Sequence, residues 1–464
     1  MAHIVYITNG MASTLHSGLE LSRRLTAAGH RITFLSDAKV EDQITAAGHE
    51  FHRLTAPEAL QKELKKNKPN KGKRQTLRGR FRWHRYQRRI RHQSLHHTEV
   101  EDHLAALAPD LLIIDAEMHV AIIAASQLKI PILLTIVWFS IFHQPGLPPL
   151  HTPLAPTDNP AEDKRRFEDA WTQCIREARA FDHDSKNSPE GKERQANPIA
   201  YSSVFRDDLI AFARARNIRL NEMIDRSQWL RPHTYRDFPV LSFNVEALEF
   251  PHDNHPLLHY VGPMIDVNRS ELERHPKDHA RWEAFLKQRP PENFPLVYAS
   301  LGTFWAADQN FLKTILQVFA RHPEWSLVLG LGGTLKPADL APTPENTLVL
   351  EWAPQLKVLQ HAAAAITHGG ITTINECLRL GVPPIVYSTH HVDQDGCAAR
   401  VAFHKVGIAA EKNEASPTQL EEDILEILTN SALRENVQTM KQKIIATEIS
   451  HTALKVIEKR LPPT

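Results

Sequence analysis

Apolar residues come along this chain in short unbroken runs, each followed by a stretch in which they recur every third or fourth position. Residues 3–8 ("HIVYIT") and 31–35 ("RITFL") are two such runs. Between them Leu21, Leu25 and Ala28 repeat at helical spacing, so the pattern predicts strand, helix 14–28, strand, with the glycine of "AAGH" closing the helix. A second unit follows in "APDLLIID" (108–115), helix 119–128 and strand 132–137. The pattern resumes at "PLVYASLGT" (295–303), helix 308–321, "WSLVLGLGG" (325–333), "TLVLEW" (347–352), "AAAAITHGG" (362–370) and "PPIVYS" (383–388). Runs that are apolar throughout, and not alternating, suit parallel strands covered on both faces, and their alternation with helices predicts a doubly wound α/β sheet.

The two blocks are separated by 238–264, rich in proline and short runs, which reads as a linker. The expected division is residues 1–240, a linker at 241–265, a second domain at 266–445, and a final helical stretch, 446–464, packing back on the first domain. Two Rossmann-like domains facing across a cleft would bind ligands at the carboxyl ends of their strands. Two inserts break the alternation. Residues 62–91 carry 14 Lys or Arg against one acid, with Phe81, Trp83 and Tyr86 interleaved, and 160–197 is densely charged with scattered aromatics.

Composition narrows the class without naming a function. The chain has 464 residues, 42% hydrophobic and 23% charged, with a formal net charge of +1, an ordinary globular profile long enough for two or three cores. Its three cysteines (Cys174, Cys377, Cys397) form no spaced cluster, which argues against a disulfide scaffold or zinc site and for a reducing cytosol. The opening "MAHIVYITNG" has no basic n-region or cleavage site, so no signal peptide is expected. The apolar run 121–142 is interrupted by Gln127, Lys129 and Pro131 and falls short of the roughly 18 uninterrupted residues a membrane span needs.

The chemistry concentrates in "THGGITTINECLRLGVPP" (367–384). A strand ending in histidine and two glycines, followed at once by a helix, allows close backbone approach and offers unpaired N–H groups, a combination suited to phosphate. The spacing Thr373-x-x-Glu376 also fits a capping box that merely starts the helix. Gly330-x-Gly332-Gly333 is weak evidence for a dinucleotide, and the first turn, "NGMASTLHSG", has no G-x-G-x-x-G. "DQD" (393–395) imitates a metal-binding Asp-x-Asp; His390 and His391 read as loop histidines.

The whole stretch "EWAPQLKVLQHAAAAITHGGITTINECLRLGVPPIVYSTHHVDQ" (351–394) resembles the nucleotide-sugar signature of family 1 glycosyltransferases, inverting enzymes of GT-B fold. The matching positions are Trp352 to Gln355, Val358, Leu359, His361, Thr367, His368, Gly370, Glu376, Gly381 to Pro383, and Asp393–Gln394. The resemblance implies Trp352 stacking on uracil, Gln355 reaching base or ribose, and Glu376 accepting the ribose hydroxyls. It implies His368, Gly370, Thr372 and Thr373 at the diphosphate, Thr303 on its other side, and Asp393 and Gln394 on the hexose. No metal or cofactor is implied beyond the sugar nucleotide itself, UDP-glucose, although related bacterial enzymes use deoxythymidine diphosphate sugars.

For catalysis the family places a histidine on the first helix, oriented by an aspartate after the "PDLLIID" strand. Asp115 matches the aspartate. An alignment anchored on Gly29–His30 puts Thr14 at the histidine position, while His16 lies two residues later and is taken as the candidate base. Trp138 and Phe139 are candidates for the acceptor pocket. The expected activity is transfer of a hexose to a hydroxyl of a lipophilic small molecule by a cytoplasmic enzyme. Two alternatives remain: a sugar-nucleotide epimerase of the same fold, and a nucleic-acid-binding protein acting through 62–91. That segment is expected to be exposed and mobile, either a lid over the acceptor cleft or a helix that docks on anionic membrane with Phe81, Trp83, Tyr86 and Ile90 along one side.

Overall fold

The computed structural model describes residues 1–68, 76–229, 232–269, 275–289, 294–302, 308–412 and 415–462. The first sheet contains β1 (His3–Ile7), β2 (Arg31–Ser36), β3 (Glu50–Arg53), β4 (Leu111–Asp115), β5 (Ile132–Ile136), β6 (Val240–Ser242) and β7 (Leu258–Tyr260), in the order β3-β2-β1-β4-β5-β6-β7. The second contains β8 (Leu296–Ser300), β9 (Ser326–Gly330), β10 (Thr347–Leu350), β11 (Ala364–Thr367), β12 (Pro384–Ser388) and β13 (Ile408–Glu411), in the order β10-β9-β8-β11-β12-β13. All neighbours within both sheets pair in parallel. The chain therefore has two Rossmann-like domains, the GT-B architecture.

In each sheet the winding reverses once, between β1 and β4 and between β8 and β11. Connections leave such a switch point on opposite faces, so a crevice opens beyond the carboxyl ends of those two strands. The strands that flank the crevices are the apolar runs of the sequence: β4, β9, β11 and β12 are buried throughout.

Two parts differ from the sequence-based expectation. The stretch 238–264 is not a linker, because it supplies β6 and β7 at one edge of the first sheet. Strands of three residues among prolines leave too short a pattern to read, and the half-exposed outer strands β3 and β13 are weak for a similar reason. Helices Ala56–Lys66 and Leu77–His96 make an ordered, packed pair within the basic insert; residues 69–75 lie outside the described residues. On the second of these helices Trp83 stacks on Tyr86 at 5.8 Å, the Tyr86 hydroxyl donates to Glu63 O (3.1 Å) and Ile90 is buried. Phe81 does not join them: it is 69% exposed on the opposite side. The charged insert is also helical, Pro160–Asn187 and Pro189–Gln195, anchored by buried Phe167 and Trp171. Among the described residues, no helix is long and apolar enough to cross a membrane.

Helix Thr452–Glu458 returns to the first domain, where Ala453 and Ile457 join the core around Ile4, Tyr6 and Leu21. The two domains are also tied by a buried ion pair. Arg400 and Glu249 are 2% and 3% exposed, with Arg400 Nε 2.7 Å from Glu249 Oε1. The guanidinium lies over Phe139 and Phe250, at 4.6 and 4.5 Å from their ring centres. Glu249→Ala is expected to cost about 3–5 kcal/mol, because it leaves a buried charge unpaired, whereas the double change Glu249→Met, Arg400→Leu should cost far less. Urea midpoints of the three proteins check this.

Candidate active site

β8 and β11 lie side by side, with Ser300 opposite Thr367, and their ends form the second domain's crevice. His368 is the first residue beyond β11 and sits between two glycines. A Cβ on Gly302 (φ +72°) would come within 2.7 Å of His368 Cε1, and one on Gly370 within 2.9 Å of Nε2. The imidazole Nδ1 is buried without a hydrogen-bond partner among the described residues. Burial, with a smaller contribution from His391, pushes the His368 pKa down to about 4, so the ring is neutral at pH 7. Gly369 makes the turn at φ +97°, where any Cβ would also press on Val386.

Gly370 then caps helix Ile371–Leu380 without a side-chain hydrogen bond, leaving first-turn N–H groups available to an anion. Thr372 and Thr373 stand half-buried in that turn. With the cap at Gly370, Thr373 and Glu376 both lie inside the helix and form no capping box. Glu376 is 3% exposed. Its Oε2 accepts Gln355 Nε2 at 2.5 Å, and its Oε1 accepts both terminal nitrogens of Arg269 at 3.2 and 3.3 Å. Gln355 in turn accepts the Tyr298 hydroxyl (3.0 Å).

Trp352 is half-buried, and its ring is not bare: His275 stacks on it at 5.2 Å, while the Trp352 backbone N–H donates to Asp278 Oδ2 (2.8 Å). Gly333 lies beside the same ring, where a Cβ would stand 3.6 Å from Trp352 Cε3. The glycine cluster at 330–333 thus clears space next to the tryptophan. Gln394 is buried and accepts the Thr389 N–H (2.9 Å) and hydroxyl (2.7 Å), which leaves its amide N–H groups for other acceptors. Burial raises the Asp393 carboxyl to about 6. Thr303 lies outside the described residues. Arg269, His275 and Tyr298 escaped the sequence reading, since contacts across tens of residues leave no local pattern.

On the other side of the cleft, Asp115 ends β4 and is 3% exposed. It accepts the Glu117 N–H at Oδ1 (3.0 Å), and the side chain facing it from helix Ala12–Ala27 is Thr14. His16 is not brought to Asp115. Two residues turn a helix by about 200°, and His16 shares the less buried side with Ala12, Leu19 and Arg23. Phe139 is fully buried under Arg400 and cannot line an open pocket; Trp138 is half-buried. A cavity of about 430 Å³ instead opens at the ends of β1–β3, lined by Thr8, Asn9, Lys39, Arg53, Met118 and Tyr201, among others. Among the described residues, no cluster of metal-ligating side chains is present.

Residues 328–457 match the family model described as Erythromycin biosynthesis protein CIII-like, C-terminal domain. Demethyllactenocin mycarosyltransferase of Streptomyces fradiae is 32% identical over 205 residues, 44% of this chain and 41% of the relative. The chain is thus similar to family 1 glycosyltransferases in part of its sequence and in its fold. The alignment spans about two fifths of that relative's length. The fold likeness is complete. The glycosyltransferase of kitacinnamycin superposes with TM-score 0.67 at 21% identity over 99% of both chains. A spinosyn rhamnosyltransferase solved with thymidine diphosphate gives 0.56 at 16%, over 99% of this chain and all of that one.

The placement of His368 makes a direct prediction. Removing one hydrogen bond to a charged phosphate costs about 1.4 kcal/mol or more, a tenfold loss. His368→Ala is therefore expected to weaken UDP binding about tenfold. Gly302→Ala, which drives a methyl into the imidazole, should do the same without touching any ligand group. Calorimetric titration of UDP into each variant reads both, with thermal unfolding as the fold control.

Proposed function

We propose that this chain transfers a hexose, with inversion, from a nucleoside diphosphate sugar to a hydroxyl of a lipophilic small molecule. The observation that carries the reading is the uncapped helix start at Gly370 with His368 held between Gly302 and Gly370. That arrangement directs neutral donors at one point, as a diphosphate leaving group requires. In this reading His368, Gly370, Thr372 and Thr373 surround the diphosphate. Trp352 and Gln355 take the base, Glu376 the ribose, and Asp393 and Gln394 the sugar. Occupation by a nucleoside would displace Arg269 from Glu376 and His275 from the ring of Trp352, unless the base takes the face toward Gly333. The donor proposed is UDP-glucose, the charge of the departing diphosphate being met by N–H groups, with no metal required. Incubation with UDP-glucose or TDP-glucose, with and without EDTA, tests this. Consumption of UDP-glucose that survives EDTA is expected; preference for the thymidine donor would overturn the uridine assignment, and loss with EDTA the metal-independent mechanism.

The proposed acceptor side is the cavity at the ends of β1–β3, and a second surface fits a lipophilic acceptor. Helix Leu77–His96 turns Trp83, Tyr86 and Ile90 inward, which leaves Leu77 (86% exposed) and Phe81 (69%) on its outer face beside Arg78, Arg85 and Arg88. Apolar tips set among arginines match an anionic bilayer, where each cation near the surface contributes about 1 kcal/mol. Nucleic acid would reward the arginines and not the leucine. The protein is thus proposed to dock reversibly on anionic membrane. Sedimentation with phosphatidylserine vesicles, but not with neutral ones, should be lost with Leu77→Ser, Phe81→Ser. Unchanged sedimentation of that double variant, or binding to duplex DNA in place of vesicles, would reject it.

A further inference from the structure

The residue that faces Asp115 from the first helix is a threonine, and a threonine is no base. Thr14 Oγ1 directs its proton to Asn9 Oδ1 (2.8 Å), with Met11 O at 3.1 Å. Asp115 Oδ2 is buried without a hydrogen-bond partner among the described residues. Two residues beyond Asp115, Glu117 is half-buried and accepts Asn9 Nδ2 at Oε2 (2.9 Å). Its Oε1 accepts no hydrogen bond among the described residues. Asn9, which donates to this carboxyl, and Met118, the next residue along the chain, both line the 430 Å³ cavity. All of these groups stand at the β1/β4 switch point, where the fold opens its crevice.

We propose that Glu117 is the general base of this enzyme, with Asn9 orienting it and Asp115 as its carboxyl partner. This rests on the transferase reading above. As the acceptor oxygen bonds to the anomeric carbon, its proton passes to Glu117 Oε1. The bond from that carbon to the β-phosphate oxygen breaks, and its electron pair leaves with the nucleoside diphosphate. Glu117 then returns the proton to solvent.

Two carboxyls in one buried place do not both ionise easily. Burial and the charge of Glu117 push Asp115 up to about 8, with Thr14 acting weakly the other way. Burial also raises Glu117, helped by Asp393 facing it from the second domain. Tyr6, beneath Asp115, is held neutral by burial. The deeper Asp115 therefore keeps the shared proton at pH 7, and Glu117 carries the charge. Turnover needs Glu117 ionised, so the rate should fall as pH drops, from a value above the ordinary carboxylate range. Asp115 is already neutral across that fall, so replacing it with an amide should leave the fall in place.

The test uses the full chain, the sugar nucleotide it consumes, and two acceptor probes of one shape, 2-naphthol and 2-naphthalenethiol. The thiol is ionised at neutral pH and needs no base. Glu117→Gln is expected to lower kcat/KM for the naphthol about 100-fold or more, to slow donor hydrolysis by water likewise, and to change thiol transfer less than about fivefold. Asp115→Asn, which keeps that position neutral as the protonated acid does, should leave the acid limb of naphthol transfer where it is, and His16→Gln should leave both acceptors within about threefold. Equal loss on both acceptors in Glu117→Gln would mean a structural role and overturn the proposal, as would a naphthol-selective loss in His16→Gln. UDP affinity of Glu117→Gln should match wild type. If the wild type consumes no sugar nucleotide, the transferase reading itself has failed and the base falls with it; consumption with an unimpaired Glu117→Gln sinks only the base.

Discussion

The buried pair of Arg400 and Glu249 sets how the two sheets meet, and the cleft depends on that meeting. Arg400 belongs to helix Gln394–Phe403, which begins at the two residues assigned to the sugar. Pinning this helix to the first domain therefore carries Asp393 and Gln394 to the cleft from one side. The approach is close: a Cβ on Gly396 would fall 2.0 Å from Leu150 O, so only glycine admits the contact. Asn375, on the helix that follows the diphosphate turn, adds a second tie to Asn244 (2.8 Å). A buried ion pair returns little net stability once desolvation is counted, but it accepts only one geometry. Here the geometry opposes two switch points.

Charge is distributed across that cleft with a purpose that the pairing makes visible. On one side a neutral histidine and helix N–H groups offer hydrogen bonds without a fixed cation. Opposite them, Asp115 and Glu117 of the first domain meet Asp393 of the second, and burial raises all three toward neutrality. Three full negative charges there would repel a diphosphate and the developing alkoxide alike. Raised carboxyls carry less charge between them, and they sit nearer the pH at which a proton moves readily in either direction.

Much of the fold was legible because parallel strands buried on both faces must be apolar throughout. β1, β4, β9 and β12 announced themselves in that way, and Gly381 closed its helix in the left-handed conformation glycine favours. The donor turn was legible for a different reason: a glycine at φ +97° and an uncapped helix start are written in consecutive residues. Strands of three or four residues at sheet edges carry too few positions for a period, so β3, β6, β7 and β13 were missed. Long-range partners were missed as well. Nothing near Glu376 in sequence points to Arg269, and nothing near Asp115 says that Thr14 will face it; only the phase of the first helix against the sheet decides that. An alignment anchored on Gly29–His30 held that phase, and a shift to reach His16 broke it.

The cavity proposed for the acceptor draws two of its walls from the parts of the sequence with the least pattern. Pro57, Glu58 and Gln61 come from the helix that opens the basic insert, and Pro198 to Ser202 follow the charged one. One carboxylate joins these walls. Glu99 accepts the N–H groups of Thr55 (2.7 Å) and Ala56 (2.8 Å) at the start of the first wall, and the Tyr201 hydroxyl from the second. The donor half of the site is thus fixed by a run of neighbouring residues and keeps its form wherever that run is kept. The proposed acceptor half is assembled from two inserts tied at scattered points, Tyr201 to Glu99, Arg91 to Asn197 O and the Ile199 N–H to Ser94 Oγ, so its shape follows the lengths of those inserts. A sequence signature can therefore name the donor's chemistry and stay silent on the acceptor's, because the two halves are encoded by different physical means.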